Sequence, residues 1–301
     1  MQTIPVAEDQ RTGTNLRDPQ NLIKVNPLTR HIGAELFDVQ IPDITADDDL
    51  FAEVQALLHR YRVLFLRDQD ITRAEHSAFA RRFGPLEEGH PSTDADSGLI
   101  LLYKDETTEE HYENAYHTDT SWRETPSMAS VLRCVETPEV GGDTIWVNMV
   151  QAYRDLPEHV KSQIGGLKAR HSFEATFGAA RPIEIRHRLR EQFPDPEHPV
   201  VRTHPETGEK ILYVNTFTTH FTNFHTPENV QFGTDYTPAA SNLLNYLHSR
   251  VAIPEYQVRW RWTKNSVALW DNRATQHYAV QDYWPAVRKM ERATIIGEKP
   301  F

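Results

Sequence analysis

Residues 256–262 read YQVRWRW, and this stretch decides the fold class that the sequence predicts. Val258, Trp260 and Trp262 alternate with two arginines, a period of two that is typical of a strand with one face in the core and the other in water. Two more strand-like segments follow it: SVALWDN at 266–272 and MERATII at 290–296. The final part of the sequence is therefore predicted to be a β-sheet region.

Further strands and a few helices are predicted on the N-terminal side of this region. Short strands are indicated within 23–42, at 63–66, at 127–135 and at 143–147. Helical patterns occur at 46–61, at 72–83 with Thr72 as a possible N-cap, at 149–168 and at 238–252. We therefore predict an α+β, mainly β protein whose β-sandwich or jelly-roll core carries flanking helices and loop insertions.

The sequence divides into a short arm and one domain. Residues 1–23 are polar and aperiodic, which predicts a loose N-terminal arm, and residues 24–301 are predicted to form a single domain. Within it, residues 171–237 are polar and rich in His, Pro and Arg. We expect this insertion to contribute a lid or part of a substrate region.

Composition excludes several classes of protein. The chain has 32 basic and 43 acidic residues and a net charge of −11, which disfavours binding to nucleic acid or to an anionic membrane. Its only cysteine, Cys134, excludes an internal disulfide framework and fits a reducing compartment. The N-terminus has no apolar export segment, and no apolar run has the length of a membrane span. We therefore expect a cytoplasmic protein.

The stretch AYHTDTSW, residues 115–122, contains the first candidate for chemistry. On a strand, His117 and Asp119 would project from the same face and could share one ion. His277, 160 positions downstream, is the best candidate for a third ligand. Two imidazoles and one carboxylate form the facial triad of non-haem Fe(II) oxygenases, which leaves three positions of the ion open. Taken alone, the His-x-Asp pair is a weak signal, because a strand-end Asp hydrogen-bonded to a neighbouring His is the more common arrangement.

Two arginines near the end of the chain strengthen this interpretation. In a strand at 288–294, Arg288 and Arg292 lie on the same face. If that face is the interior, both guanidinium groups require anionic partners, and the guanidinium fork is well suited to carboxylates and sulfonates. The alternative is that both arginines face the solvent.

Several stretches, in this order, resemble the taurine dioxygenase (TauD/TfdA-like) family of Fe(II)- and 2-oxoglutarate-dependent dioxygenases over about residues 26–300. They are NPLTRHIGAEL, YRVLFLRDQDIT, RRFGPL, YHTDTSWRETP, GGDTIWVN, HPVVRTHPETGEKILYVN, VRWRW and WDNRATQHYAVQDYWPAVRKMERATIIGEKPF. The resemblance implies a double-stranded β-helix (jelly-roll) fold, with Fe(II) as the cofactor and 2-oxoglutarate and O₂ as cosubstrates.

The same resemblance implies a role for each candidate residue. It makes His117, Asp119 and His277 the iron ligands, and it assigns Thr144 and Arg288 to the distal carboxylate of 2-oxoglutarate. The residues that it implies for the primary substrate are His90, Asn114, Phe177, Phe217 and Arg292. Arg292 and His90 would hold the anionic head group, and the two phenylalanines would line the chamber unless they are plain core residues.

The sequence departs from the taurine enzymes at positions that serve the amine of taurine. Ser92 and Thr93 stand where those enzymes carry a Tyr, and Glu113 stands where they carry an Asn, with Asn114 one place later. The connection 218–240 is also longer than usual by roughly a dozen residues, which suggests a lid or, equally, an oligomer contact.

The resemblance thus predicts a dioxygenase that hydroxylates a small anionic substrate, first an alkyl or amino sulfonate. The products would be an aldehyde, sulfite, succinate and CO₂. A sulfate ester, a phosphonate or an aryloxy or other carboxylate remains an alternative substrate. A zinc hydrolase and a non-catalytic jelly-roll binding protein are more remote alternatives. We expect a homo-oligomer, either a dimer or a tetramer.

Overall fold

The computed structural model of the protein describes residues 22–87, 94, 97–107, 114–225 and 238–301. The strands are β1 Lys24–Pro27, β2 Ala34–Phe37, β3 Val63–Leu66, β4 Ile100–Lys104, β5 Ala129–Glu136, β6 Thr144–Asn148, β7 Lys168–His171, β8 Glu197–Pro199, β9 Val201–Thr203, β10 Lys210–Leu212, β11 Thr218–Phe221, β12 Gln257–Trp260, β13 Val267–Asp271, β14 Thr275–Ala279 and β15 Arg288–Ile295. The helices are α1 Ile41–Ala46, α2 Asp48–Tyr61, α3 Arg73–Arg81, α4 Met149–Arg154, α5 Glu158–Ile164, α6 Phe173–Phe177, α7 Ile183–Gln192 and α8 Pro238–Ser249.

Two sheets face each other and form the core. The larger has the strand order β1-β2-β3-β13-β5-β15-β4, and the smaller has the order β12-β6-β14. Their strands are antiparallel, except that β2 runs parallel to β3. Two small sheets, β11-β7-β8 and β10-β9, complete the β structure of the described residues. The predicted mainly β architecture is therefore present.

Aromatic side chains fill the space between the two main sheets. The ring of Phe65 on β3 stacks on Trp260 of β12 with 4.1 Å between centroids, and it lies 5.4 Å from Trp146 of β6. All three side chains are buried, whereas Arg259 and Arg261 are exposed. The alternation in YQVRWRW is thus confirmed: its apolar positions point between the sheets.

Helices α1, α2 and α3 pack an apolar cluster onto the outer face of the large sheet. The start of α3 is fixed by a capping box, in which the side chains of Thr72 and Glu75 each bond to the backbone N–H of the other residue. The predicted N-cap is therefore confirmed. Among the described residues, no helix is both long and apolar enough to cross a membrane.

Some predicted element boundaries are wrong. The single helix predicted at 149–168 is two helices, α4 and α5, because Pro157 has no N–H with which to continue α4. The connection 218–240 is not all loop: Thr218–Phe221 forms β11, since Phe221 is buried in the core behind the small sheet. Residues 226–237 of that connection lie outside the described part of the chain.

The predicted N-terminal arm also has a different boundary. Ile23 is buried, and the backbone N–H groups of Leu22 and Ile23 donate to the carboxylate of Glu53 on α2. These two residues are therefore attached to the domain. Residues 1–21 lie outside the described part of the chain.

Candidate active site

His117 and His277 are brought together by a reciprocal pair of backbone hydrogen bonds. The N–H of His117 donates to the carbonyl of His277 at 3.0 Å, and the N–H of His277 donates to the carbonyl of His117 at 2.8 Å. Residues that face each other directly in an antiparallel pair send their side chains to the same side. The two imidazole centroids are accordingly 4.2 Å apart.

Asp119 joins the two histidines from a turn. The predicted strand at 117–119 is wrong, because only His117 bridges to β14 and the chain then turns, with Thr120 at a φ of +54°. The carboxylate still lies 3.6 Å from Nε2 of His117 and 3.9 Å from Nε2 of His277. One possible ligand atom each from His117, Asp119 and His277 lies within 4.8 Å of the other two. The three residues therefore come together as the sequence predicted.

The tautomer of His117 suits metal binding. Its Nδ1 lies 2.7 Å from the backbone carbonyl of Ala115. A carbonyl only accepts, so Nδ1 carries the proton and Nε2 keeps its lone pair on the side of Asp119. In metal sites, the ring nitrogen of a histidine that does not bind the metal usually donates a hydrogen bond in this way.

The protonation states in the cluster are also those of metal ligands. Burial, together with the neighbouring His117, lowers the pKa of His277 to about 3, so this imidazole is neutral near pH 7. Burial by itself would raise the pKa of Asp119, but Arg292 foremost holds it well below its usual range. His277 and Asp119 are therefore a neutral imidazole and an ionised carboxylate, the forms that bind a divalent cation.

Arg292 on β15 contacts the cluster directly. Its guanidinium donates to Oδ2 of Asp119 at 2.9 Å. Arg288 lies four residues before Arg292 on the same strand. Its Nε donates to the carbonyl of Gly142 at 3.2 Å, and its Nη2 lies 3.4 Å from the hydroxyl of Thr144. Both arginines line the same cavity between the sheets, so the predicted shared face is confirmed and the solvent-facing alternative is wrong.

The Gly-Gly-Asp-Thr segment positions Thr144 beside Arg288. Gly141 has a φ of +88°, and a Cβ on it would lie 2.6 Å from Oδ1 of Asp282, so only glycine fits there. The same Asp282 oxygen accepts a hydrogen bond from the N–H of Gly142 at 2.8 Å. The indole N–H of Trp262 donates to the Thr144 hydroxyl at 2.9 Å and fixes its position.

The cavity has further lining residues that the sequence analysis missed. Leu102 and Lys104 line it from β4, and Leu132 lines it from β5. The register places Lys104 directly opposite Arg288, on the same face of the large sheet. Exposed and half-buried residues alternate along β4, but the stretch LILLYK is apolar up to Tyr103 and has no period of two, so the sequence did not show which residues face the cavity.

The four other residues that were predicted to bind the primary substrate are not placed alike. The ring of Phe217 is buried 6.3 Å from that of His117, and Phe177 lies 5.4 Å from Phe217, but neither is among the described residues that line the cavity. Asn114 is exposed and does not line the cavity. His90 lies outside the described residues.

A family model for the taurine catabolism dioxygenase TauD, TfdA family matches residues 24–294 of the chain. The chain is 34% identical over 295 residues to an alkylsulfatase of Acinetobacter baylyi, covering 95% of this chain and 88% of the relative. It is 35% identical over 289 residues to an alpha-ketoglutarate-dependent sulfate ester dioxygenase of Pseudomonas putida, covering 92% of this chain and 91% of the relative.

Solved structures are similar over the same extent. A taurine dioxygenase from Burkholderia xenovorans superposes with a TM-score of 0.75 at 34% identity, covering 92% of this chain and 90% of that one. The complex of AAD-2 with Mn(II) and N-oxalylglycine gives a TM-score of 0.75 at 26% identity, covering 92% of this chain and 98% of that one.

Proposed function

The chain belongs to the TauD/TfdA family of taurine catabolism dioxygenases, and from this premise we propose roles for its site residues and a class for its substrate. It is a jelly-roll enzyme, a non-haem iron dioxygenase that depends on 2-oxoglutarate, as the sequence predicted. The zinc hydrolase and the non-catalytic binding protein are accordingly set aside.

We propose that His117, Asp119 and His277 hold Fe(II). The observation that carries this proposal is the convergence of their ligand atoms within 4.8 Å, with Nδ1 of His117 bonded to the carbonyl of Ala115 and Nε2 left towards Asp119. The two nitrogens and one oxygen match the donor set of the facial triad. When bound, the ion supplies the O₂-dependent oxidation of a substrate C–H bond, coupled to conversion of 2-oxoglutarate to succinate and CO₂.

We propose that Arg288 and Thr144 bind the distal carboxylate of 2-oxoglutarate. The Arg288 guanidinium is buried, is held by the carbonyl of Gly142, and lies beside the Thr144 hydroxyl. A buried guanidinium next to a hydroxyl can form several charge-assisted hydrogen bonds to one carboxylate. Lys104 adds a third positive charge to this cavity, whose attraction for anions is local because the whole chain is acidic.

We propose that the primary substrate is an alkyl sulfate ester whose anionic head is bound by Arg292, with His90 as a candidate partner. Two relatives with more than 30% identity are named for sulfate ester chemistry. Leu102 and Leu132 line the cavity and offer apolar surface for an alkyl chain. Among the described residues that line the cavity there is no Asp or Glu to neutralise an ammonium group.

The reaction balances for this substrate. An alkyl sulfate, 2-oxoglutarate and O₂ give an aldehyde, hydrogen sulfate, succinate and CO₂. One oxygen atom of O₂ enters succinate and the other becomes a hydroxyl on the carbon next to the ester oxygen. That carbon then expels sulfate as its C–O bond breaks and the hydroxyl loses its proton. By fixing the anionic head, Arg292 determines which carbon is oxidised.

A taurine-like sulfonate is the second candidate, because the similar Burkholderia structure is a taurine dioxygenase. We also propose that the region 171–237 contributes a lid or part of the chamber, that the chain assembles into a dimer or tetramer, and that it acts in a reducing compartment such as the cytoplasm. The buried free thiol of Cys134 supports the last point.

The ligand assignment is tested by anaerobic titration with Fe(II) and 2-oxoglutarate. We expect a weak visible charge-transfer band in the wild type and its loss in His117→Ala and Asp119→Ala, since each variant lacks one donor. His159→Ala, at an exposed position away from the cluster, is the control and should keep the band. A band of full strength in either ligand variant would contradict the assignment.

The substrate class is tested by product analysis. Hexyl sulfate, hexane sulfonate and taurine are each supplied with Fe(II), 2-oxoglutarate and O₂, and inorganic sulfate and sulfite are quantified separately. We expect hexyl sulfate to give sulfate and aldehyde in equal amounts at the highest rate. Taurine turning over faster than hexyl sulfate, with release of sulfite, would favour the second candidate instead.

A further inference from the structure

The two ends of the His-x-Asp segment are held in place differently. His117 is fixed by backbone hydrogen bonds to His277, whereas the backbone at Asp119 has left the sheet and has no strand partner. The next residue, Thr120, has a φ of +54°, a left-handed conformation that is unfavourable for a β-branched side chain. Something other than strand pairing must therefore keep the Asp119 carboxylate in place.

The side chain of Asn272 makes the missing contacts. Its Oδ1 accepts a hydrogen bond from the N–H of Asp119 at 3.0 Å, and its Nδ2 donates to the carbonyl of Asp119 at 3.0 Å. Nδ2 also donates to the carbonyl of Ser127 at 2.9 Å. One buried amide thus bonds both backbone groups of Asp119, as a neighbouring strand would.

Only an amide satisfies these partners. The N–H of Asp119 requires an acceptor, and the carbonyls of Asp119 and Ser127 require a donor, so a carboxylate or a hydroxyl leaves at least one of them unmatched. Asn272 is fully buried, so no water replaces a missing partner without rearrangement.

Asn272 also connects the Asp119 turn to the element that carries His277. It lies between β13 and β14, and its own N–H donates to the carbonyl of Met128 at 2.9 Å. A second link runs in parallel, because the hydroxyl of Thr118 donates to the carbonyl of Thr275 at 3.0 Å. Both links therefore tie the Asp119 turn to the segment that carries His277, and Asn272 is the one that bonds the N–H and the carbonyl of Asp119 itself.

We propose that Asn272 is a positioning residue for the metal centre, which presents Asp119 to the ion without touching the ion itself. The inference rests on the proposed role of Asp119 as a ligand. Residues that orient metal ligands commonly change metal affinity by about 10- to 100-fold when they are removed.

The test measures the affinity for Mn(II) by calorimetry, together with the thermal midpoint, in the wild type and in Asn272→Ala and Asn272→Ser. The matched control is Asn148→Ala. Asn148 is likewise buried, with its amide bonded to backbone groups of His31, Val150 and Gln151, but it contacts no ligand residue. Its loss measures the effect of removing a buried amide on stability alone.

We expect Asn272→Ala to bind Mn(II) about 10- to 100-fold more weakly than the wild type, while Asn148→Ala stays within about twofold. Asn272→Ser keeps a hydroxyl that can still bond one of these partners and buries no charge, so it should fold even if the alanine variant does not. It should lose affinity to an intermediate degree. Anaerobic charge-transfer spectra of the Fe(II) complex should shift or weaken in the Asn272 variants only.

Failure of this inference is distinct from failure of the proposed function. A wild type that binds no Mn(II) would overturn the ligand assignment itself. A wild type that binds Mn(II) while a folded Asn272 variant binds it as tightly as Asn148→Ala does would overturn only the positioning role.

Discussion

Arg292 connects two parts of the site that the sequence had treated separately. Its guanidinium contacts Asp119 directly, on the carboxylate oxygen that also faces His277. A charge that is assigned to the substrate anion thus also stabilises the ionised form of a proposed iron ligand. Substrate binding and metal binding should therefore influence each other through this side chain.

The two cavity arginines are predicted to serve different anions. Arg288→Ala should raise the KM for 2-oxoglutarate by about a hundredfold, and Arg292→Ala should do the same for the primary substrate, because each removes the partner of a buried charge. Lys289→Ala, between them in sequence but outside the cavity lining, is the control. Steady-state kinetics with each substrate varied in turn would reveal the division. Equal losses for both anions in both variants would contradict it.

At the scale of single elements, α3 contains a buried ionisable group. His76 is fully buried, and its Nε2 lies 3.0 Å from the carbonyl of Val131 on β5. Burial lowers the pKa of His76 to about 4, from a usual value near 6.5. The folded protein therefore keeps this imidazole neutral at pH values where an unfolded chain would protonate it.

The consequence is a loss of stability in acid. As the pH falls from about 6.5 towards 4, His76 becomes protonated in the unfolded state but stays neutral in the folded state. The free energy of unfolding therefore decreases. For His76 this amounts to about 2 kcal/mol between pH 7 and pH 5. His76→Gln should remove that part of the decrease in urea unfolding curves at the two pH values. The exposed His159→Gln should not, and equal pH dependence in all three proteins would sink the explanation.

Across the whole molecule, the period of two in the sequence correctly predicted which face of a strand is buried. The alternation in YQVRWRW gave the buried face of β12, and the even spacing of Arg288 and Arg292 placed both in one cavity. The spacing of His117 and Asp119 led to the right cluster for an incomplete reason, because the chain leaves the sheet after His117. His277 on β14 was the best candidate for the third ligand in the sequence, and the resemblance to the family implied the same residue.

What the sequence did not indicate depends on contacts between distant segments. Pro157 separates α4 from α5, and β11 forms because β7 is there to pair with it. Asn272 could be recognised as the partner of Asp119 only once the fold had placed residues 153 positions apart in contact. Such side chain to backbone bonds have no period in sequence, so no local pattern reveals them.

The order of strands in the large sheet also determines when the enzyme can acquire its metal. β13 lies between β3 and β5, so the two sides of the sheet cannot join until residues 267–271 have left the ribosome. His277 emerges later still, and its backbone is what holds His117 in place. Until His277 is released, the nascent chain lacks both the third proposed ligand and the backbone that holds His117, so the complete site can form only after β14 has emerged.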